Sequence, residues 1–277
     1  MESKSGPSLG PYARPPKEMR NGIPIFSDAD AFSENYDQIA RDHLKSMKKG
    51  VSNPFIQEEL WQTLERSTAH LIRKYSLPGS RVLDVGVGLG RLLGQIPDRD
   101  RFGTDITFEY LEAAKERGID VCCARAEDLP YRDDFFDVIV CTDVLEHVLD
   151  LNATIGSVLR VLKEDGVLIV RVPDREDLSP YVAPSYPYRY AHLRSFDEPG
   201  LCLLFSRVFH CELLESYYAF ACYDIKIRLP LPPAGKWVVS QLIQKIVHPN
   251  KWWRDWIVRK LFHPLEINSV FRKTSRE

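Results

Sequence analysis

Apolar positions between Arg81 and Val172 alternate between two rhythms. Short apolar, partly β-branched runs recur at Val82–Val85, Phe102–Ile106, Ile119–Ala124, Phe136–Thr142 and Val167–Val172. Runs of this length and composition predict buried parallel strands. Between them lie stretches with helical spacing, Phe108–Arg117 stopped by Gly118, and Ala153–Leu162 with Asn152 as the expected N-cap. Glu164-Asp165-Gly166 is the expected turn into the fifth strand. Strands alternating with helices predict an α/β fold with a doubly wound, mostly parallel sheet, whose ligand lies beyond the C-terminal strand ends.

Upstream, residues 1 to about 22 are rich in Pro, Gly and charge, and we expect a flexible arm over 1–30. Ile23–Phe26 is a short extended piece. Ser27 or Asp28 is the expected cap of a helix running through Asp37 to Lys48, with Phe32, Tyr36, Ile39 and Leu44 on its apolar face. That helix either packs on the core or lies as a lid over a ligand. Pro54 opens a second helix, Phe55–Tyr75, which Pro78-Gly79 ends. Downstream, Pro173–Pro199 breaks the rhythm as a long loop. Leu201–Phe205 is helical, and His210–Cys222 and Glu266–Lys273 are two further strands. The insertion between them, 223–265, holds two amphipathic helix patterns, Lys236–Val247 and Lys251–Phe262.

The first strand runs into RVLDVGVGLGRLLG, Arg81–Gly94. Gly86, Gly88 and Gly90 stand at every second position and allow close backbone approach to a ligand, ahead of a helix start. The dinucleotide spacing G-x-G-x-x-G fails in both registers, because Arg91 and Leu93 stand where the third glycine belongs. A phosphate loop fails too, since no Gly-Lys-Ser/Thr follows.

The 277 residues fit one domain with elaborations, and a net charge of −2 gives no field favouring nucleic acid. No run of eighteen apolar residues and no apolar leader segment occurs, so the expectation is a cytoplasmic protein. The six cysteines form no C-x-x-C and are expected as buried free thiols. No metal ligands are assigned.

The remaining pattern, D-x-G-x-G-x-G with Asp84 on the strand, resembles motif I of class I S-adenosylmethionine-dependent methyltransferases. Nineteen positions after Gly86, Asp105 ends the second strand, where an acid can accept from both ribose hydroxyls; its other reading is a helix cap. ARAEDLPYRDDFFDVIV, Ala124–Val140, resembles the D-A-x-x-L-P-F…F-D-x-V pattern of the ubiquinone and menaquinone biosynthesis methyltransferases. The family's acid before Ala126, which approaches the adenine amino group, is Arg125 here, and Glu127 is the candidate substitute. CTDVLEHV, Cys141–Val148, resembles the family's post-strand L-E-H segment.

The helical C-terminal insertion is read from its amphipathic patterns and lies outside this resemblance. The resemblance implies a Rossmann-like, seven-stranded sheet with an antiparallel edge strand. It implies S-adenosylmethionine as cofactor, held by Asp84, Gly86, Gly88, Gly90, Asp105, Ala126, Glu127 and Asp143. Within one domain, 31–277, it divides the chain into N-terminal helices or lid (31–78), cofactor core (79–174), substrate cap loop (175–200) and insertion (223–265). The implied reaction is methyl transfer to a small-molecule, sugar or lipid-linked acceptor. Alternatives are a protein or RNA methyltransferase, or a non-catalytic cofactor-binding module. Glu146 and His147 are either substrate contacts or structural, with His147 a candidate base. In YPYRYAHLRSF, Tyr186–Phe196, His192 is a second candidate base, and Tyr188, Tyr190 and Arg194 are candidate grips for a polyhydroxylated or acidic substrate. Four of the five Trp residues lie in the insertion beside Lys and Arg, suiting peripheral contact with a membrane through 236–262.

Overall fold

A computed structural model describes residues 10–50, 58–219, 223–225, 262–264 and 266–274. The N-terminal segment departs from the expected arm. Strands β1 (Glu18–Arg20) and β2 (Ile23–Ile25) form a hairpin. Asn21 and Gly22 turn it with φ of 49° and 68°, as a two-residue hairpin turn requires. Ile23 and Ile25 are buried, and Tyr12 stacks on Tyr131 at 5.3 Å. The polar residues of β1 are all exposed, so the segment has no apolar alternation by which to recognise it.

Helix α1 (Ala31–Lys48) is capped by Asp30, whose Oδ1 accepts from the amides of Phe32 and Ser33, rather than by Ser27 or Asp28. Helix α2 is Glu58–Tyr75, and its expected start at Pro54 lies outside the described residues. Then follow β3 (Arg81–Val85), α3 (Arg91–Gly94), β4 (Asp100–Asp105), α4 (Phe108–Glu116), β5 (Asp120–Cys123), β6 (Phe136–Thr142) and α5 (Leu151–Val161). The helix start after the glycine loop is a single turn. Helix α5 takes Asp150 as its cap, not Asn152, the Asp150 carboxylate accepting from the Ala153 amide.

Strand β7 spans Leu162–Pro173, longer than expected. Its pairing with β6 jumps from Leu162 to Val167, so Glu164-Asp165-Gly166 bulges within the strand. Helix α6 (Glu198–Leu203) leads to β8 (Glu212–Tyr218) and, last in the chain, β11 (Glu266–Arg272). The ends of the insertion, β9 (Tyr223–Ile225) and β10 (Phe262–Pro264), pair antiparallel. The two helices expected at 236–262, and the membrane contact placed on them, lie outside the described residues. No helix among the described residues is long and apolar enough to cross a membrane. Five cysteines among them are free thiols, four of these buried.

The sheet order is β1-β2-β5-β4-β3-β6-β7-β11-β8. The seven expected strands are present, and the N-terminal hairpin extends them to nine by pairing β2 parallel to β5. Strands β5, β4, β3, β6 and β7 run parallel, while β11 runs antiparallel to both neighbours. Apolar clusters cover both faces, one around Phe136, Tyr131 and Phe271, the other around Leu71, Ile72 and Leu93. The winding direction reverses between β3 and β6, so the loops after these two strands splay apart and open a crevice.

Candidate active site

That crevice is a cavity of about 1180 Å³, larger than the usual 300–1,000 Å³ of a single-ligand site. The glycine loop after β3 forms its floor. Gly86, Gly88 and Gly90 all have positive φ. A Cβ at Gly86 would stand 2.5 Å from Val144, and one at Gly90 would meet Ile119 and Ala114, so both are required by packing. At Gly88 nothing lies within 4 Å of that point, and the residue lines the cavity. The loop is fixed from β4. Asp105 Oδ2 accepts from the Gly88 amide and its Oδ1 from the Thr107 amide, each at 2.9 Å. Burial raises the Asp105 carboxyl, and these backbone bonds oppose the rise. Each oxygen keeps acceptor capacity toward the cavity. Both readings of Asp105 therefore hold together, since it begins the turn into α4 and lines the site.

Ala126 and Glu127 line the same cavity after β5. Glu127 Oε1 accepts from the Leu149 amide. Arg125 does not line it. Its Nη1 lies 2.6 Å from Asp30 Oδ2, and its guanidinium sits 4.8 Å over the Phe32 ring.

Under the loop lies a buried ionic group that sequence reasoning saw only in part. Arg171 interrupts the apolar strand β7, and a charge in such a run needs a partner. Its Nη2 donates to Asp143 Oδ2 at 2.5 Å and its Nη1 to Thr68 at 3.1 Å, with Glu266 at 4.0 Å from its Nε. Burial would lower the guanidinium, but Asp143 and Glu266 outweigh it. One cation cannot hold all the neighbouring acids ionised. Burial pushes the Asp84, Glu146 and Glu266 carboxyls well above the carboxylate range. Glu146 is 1% exposed, and neither of its oxygens has a hydrogen-bond partner.

The substrate side is built by the loop after β7. Its ends are pinned together: Asp174 bridges Phe196, and the Arg175 amide donates to the Phe196 carbonyl. Tyr181, Tyr186, Tyr188 and His192 line the cavity from this loop, with Glu176. Glu176 was not legible in the sequence, although it follows directly on the strand end. His192 Nδ1 contacts Glu176 Oε2, and Tyr181 donates to Glu176 Oε1 at 2.6 Å. Burial would raise Glu176, but the His192 and Tyr181 bonds hold it below the usual range. His147 is placed differently. Its Nδ1 is 2.9 Å from the Tyr36 hydroxyl, and burial and the neighbouring His192 push its basicity down to about 3. Glu146, His147 and His192 each offer one ligand atom within 4.8 Å of the others, a grouping able to hold a metal ion.

Two expected substrate grips are corrected. Arg194 is no wall of the cavity. It donates to the carbonyls of Leu145, Val148 and Leu149 and so shapes the segment carrying Glu146 and His147. Tyr190 does not line it either. Its backbone pairs with the Asn35 side chain, and its ring meets Phe32 at 5.3 Å. The sequence leaves α1 open between core packing and a lid over a ligand; it lines the cavity through Phe32, Tyr36, Ile39 and His43, and His43 is not among the positions that the sequence singles out. The fit to S-adenosylmethionine rests on the open space over Gly88, the acid of Asp105 beside it, and room for a second ligand.

The family described as methyltransferase domain matches residues 83–170. A ubiquinone biosynthesis O-methyltransferase of Rhodopseudomonas palustris is 30% identical over 129 residues, 44% of this chain and 49% of that protein. The tRNA (carboxymethyluridine(34)-5-O)-methyltransferase of Arabidopsis thaliana is 36% identical over 110 residues, 38% of this chain and 27% of its own length. The chain thus spans half or less of the length of these curated relatives. Among solved structures, a chain from the complex of the Haloferax volcanii Trm112 methyltransferase activator with a methyltransferase aligns with a TM-score of 0.61 at 17% identity, covering 89% of this chain and 99% of that one. Residues 83–170 therefore match a methyltransferase domain, and the chain shares the Rossmann-like fold of that solved neighbour.

Proposed function

We propose that the protein methylates a hydroxyl group of a small, uncharged or cationic acceptor, with His192 as general base and Glu176 as its orienting carboxylate. The observation that carries this is the His192–Glu176 pair, held in the same cavity as the glycine loop and Asp105. S-adenosylmethionine supplies the methyl group as an electrophile on positive sulfur and leaves as a neutral thioether. Glu176 accepts from His192 Nδ1, which leaves Nε2 as the site that takes the acceptor's hydroxyl proton. Tyr181 holds the other oxygen of Glu176 and fixes the angle of the pair. His147, with its depressed basicity and its tie to Tyr36, positions α1 against the site.

Wall charge supports the choice of acceptor. The cavity is lined by nine Asp or Glu and three Arg side chains, and the seven acids other than Asp84 and Glu266, which burial pushes toward the neutral form, still outnumber the Arg. Each Arg already faces a carboxylate: Arg91 with Glu58 and Glu65, Arg171 with Asp143, Arg175 with Asp197. Among the described residues, an anionic acceptor finds no unpaired guanidinium on the cavity wall. The tyrosines Tyr181, Tyr186 and Tyr188, set edge-to-face, offer ring surfaces to a planar ring or a sugar.

The test is transfer of labelled methyl to a panel of catechols, glycosides, lipid-linked sugars and tRNA. We expect label in the small hydroxyl compounds. His192→Ala should cut kcat by about 10²-fold or more, the scale of a lost general base, with cofactor affinity within a few-fold. Label found in tRNA alone, or full turnover by His192→Ala, would overturn the proposal.

A further inference from the structure

We propose that Arg125 is a positioning residue that latches α1 against the cofactor cavity, so that it sets cofactor affinity without lining the cavity. In the family that this stretch resembles, an acid at this position faces the adenine amino group. Arg125 presents only donors. It turns instead to the start of α1, with its Nε also 3.6 Å from Glu127 Oε2 in its own turn.

Three contacts converge there. The Arg125 amide donates to Ser27 Oγ at 2.9 Å. Its Nη1 reaches Asp30 Oδ2 at 2.6 Å, while Asp30 Oδ1 holds the first amides of α1. Its guanidinium covers Phe32, whose ring lines the cavity. One carboxylate thus begins the helix and fastens it to the turn after β5. The neighbour of Arg125 in that turn, Ala126, is a cavity wall.

The rest of α1 is attached in a way that makes a latch matter. Of its eighteen residues only Phe32 and Ala40 are buried apolar side chains. Its other ties are a few polar contacts, Asn35 with the Tyr190 backbone, Tyr36 with His147, Asp42 with Tyr188 and His43 with Tyr110, and edge or tilted ring contacts of Tyr36 with His147 and of His43 with Trp61 and Tyr110. A helix held by so little apolar surface opens more readily than the core beneath it. Closing it brings Phe32, Tyr36, Ile39 and His43 over the site together. Removing the latch shifts the balance toward open α1 and lowers apparent affinity by the fraction lost.

The experiment uses the full chain and needs no acceptor. Affinity for S-adenosylhomocysteine is measured by calorimetry in Arg125→Ala, Asp30→Asn and the double variant. Asn at position 30 keeps a cap acceptor and removes the charge. Amide exchange across 31–48 is followed in the same proteins without ligand. Each single variant should weaken binding by about fivefold, on the scale of about 1 kcal/mol for a partly buried ion pair. The double variant should be no weaker than the worse single, as for two halves of one contact. Exchange should speed up in α1 and stay unchanged in α5. Unchanged affinity, additive losses, or faster exchange in α5 as well would overturn the latch. So would tighter binding by Arg125→Asp, which would mean that a direct contact from this position governs affinity.

Discussion

Asp105 and Gly88 act on each other, and their substitutions should separate ligand binding from folding. Asp105→Ala removes an acceptor from the cavity and leaves the Gly88 and Thr107 amides unpaired. Binding of S-adenosylmethionine should weaken by about 1.5–3 kcal/mol, the scale of a lost charge-assisted bond. Gly88→Val places its side chain in open cavity and should abolish binding; its φ of 50° also strains a β-branched residue, so the melting temperature falls although the protein still melts cooperatively. Gly86→Ala and Gly90→Ala should lower the melting temperature through clash as well as φ, because the added carbon meets Val144 or Ala114 and Ile119, and should leave the space over Gly88 open. Calorimetry and thermal melts on the four variants distinguish the two patterns, and unchanged affinity in both Asp105→Ala and Gly88→Val would remove the cofactor assignment. Arg194→Ala should cost about 1–3 kcal/mol of stability in urea, because three carbonyls lose their donor. Lost turnover with an unshifted midpoint would return Arg194 to the acceptor. At this scale the sequence revealed residues whose role is local: glycines that need positive φ and an acid at a strand end. It hid Glu176 and Arg171, whose meaning depends on partners 16 and 28 positions away, His192 and Asp143.

Helix α1 carries a pH signature of its own. Burial, with Glu109 and Asp105 nearby, pushes the Asp37 carboxyl up to about 6, against the pull of Arg41 and Arg20. The folded chain therefore holds this proton more tightly than the unfolded chain does. Its contribution is favourable at low pH and is lost as pH rises from about 4 through about 6. Asp37→Asn should raise the melting temperature at pH 7.5 and give little or no gain at pH 4.5. An equal gain at both values would mean that the carboxyl titrates normally. Element reading from sequence succeeded where apolar parallel strands alternate with helices, from β3 to β7. It placed caps poorly, because Ser27, Asp28 and Asp30 stand close together, as do Asp150 and Asn152, and only backbone geometry chooses among them. The β1–β2 hairpin went unread because its signal lay in the turn, Asn21-Gly22, and not in its strands.

Across the whole molecule, a chain of net charge −2 concentrates acid around one cavity. Bulk charge argued only against nucleic acid, whereas the wall charge bears on the acceptor. Among matched catechols carrying an aminoethyl group, no charge or a carboxylate, the carboxylate should have kcat/KM lower by about tenfold or more, since a like charge brought to an acidic wall is penalised. Asp177→Asn, at the cavity wall with its carboxylate bonded to Ser179 and not to the His192–Glu176 pair, should narrow the gap. A carboxylated acceptor that outperforms the other two would contradict the electrostatic reading. The resemblance read in the sequence covered the cofactor half well, since that half is a continuous run of strands and turns. The acceptor half is assembled from α1, α2 and the loop after β7, three separate stretches whose meeting no local pattern announces.

The joint between Asp174 and Phe196 has a consequence for how this protein could come to take a different ligand. Because the loop leaves and returns at one point, its length and content are decoupled from the sheet below. The stretch between Glu176 and Ala191 is an exchangeable cassette: a foreign segment of different length there, with His192, Leu193 and Arg194 kept for their bonds to Glu176 and to the 145–149 segment, could present new side chains to the cavity without shifting a single strand register.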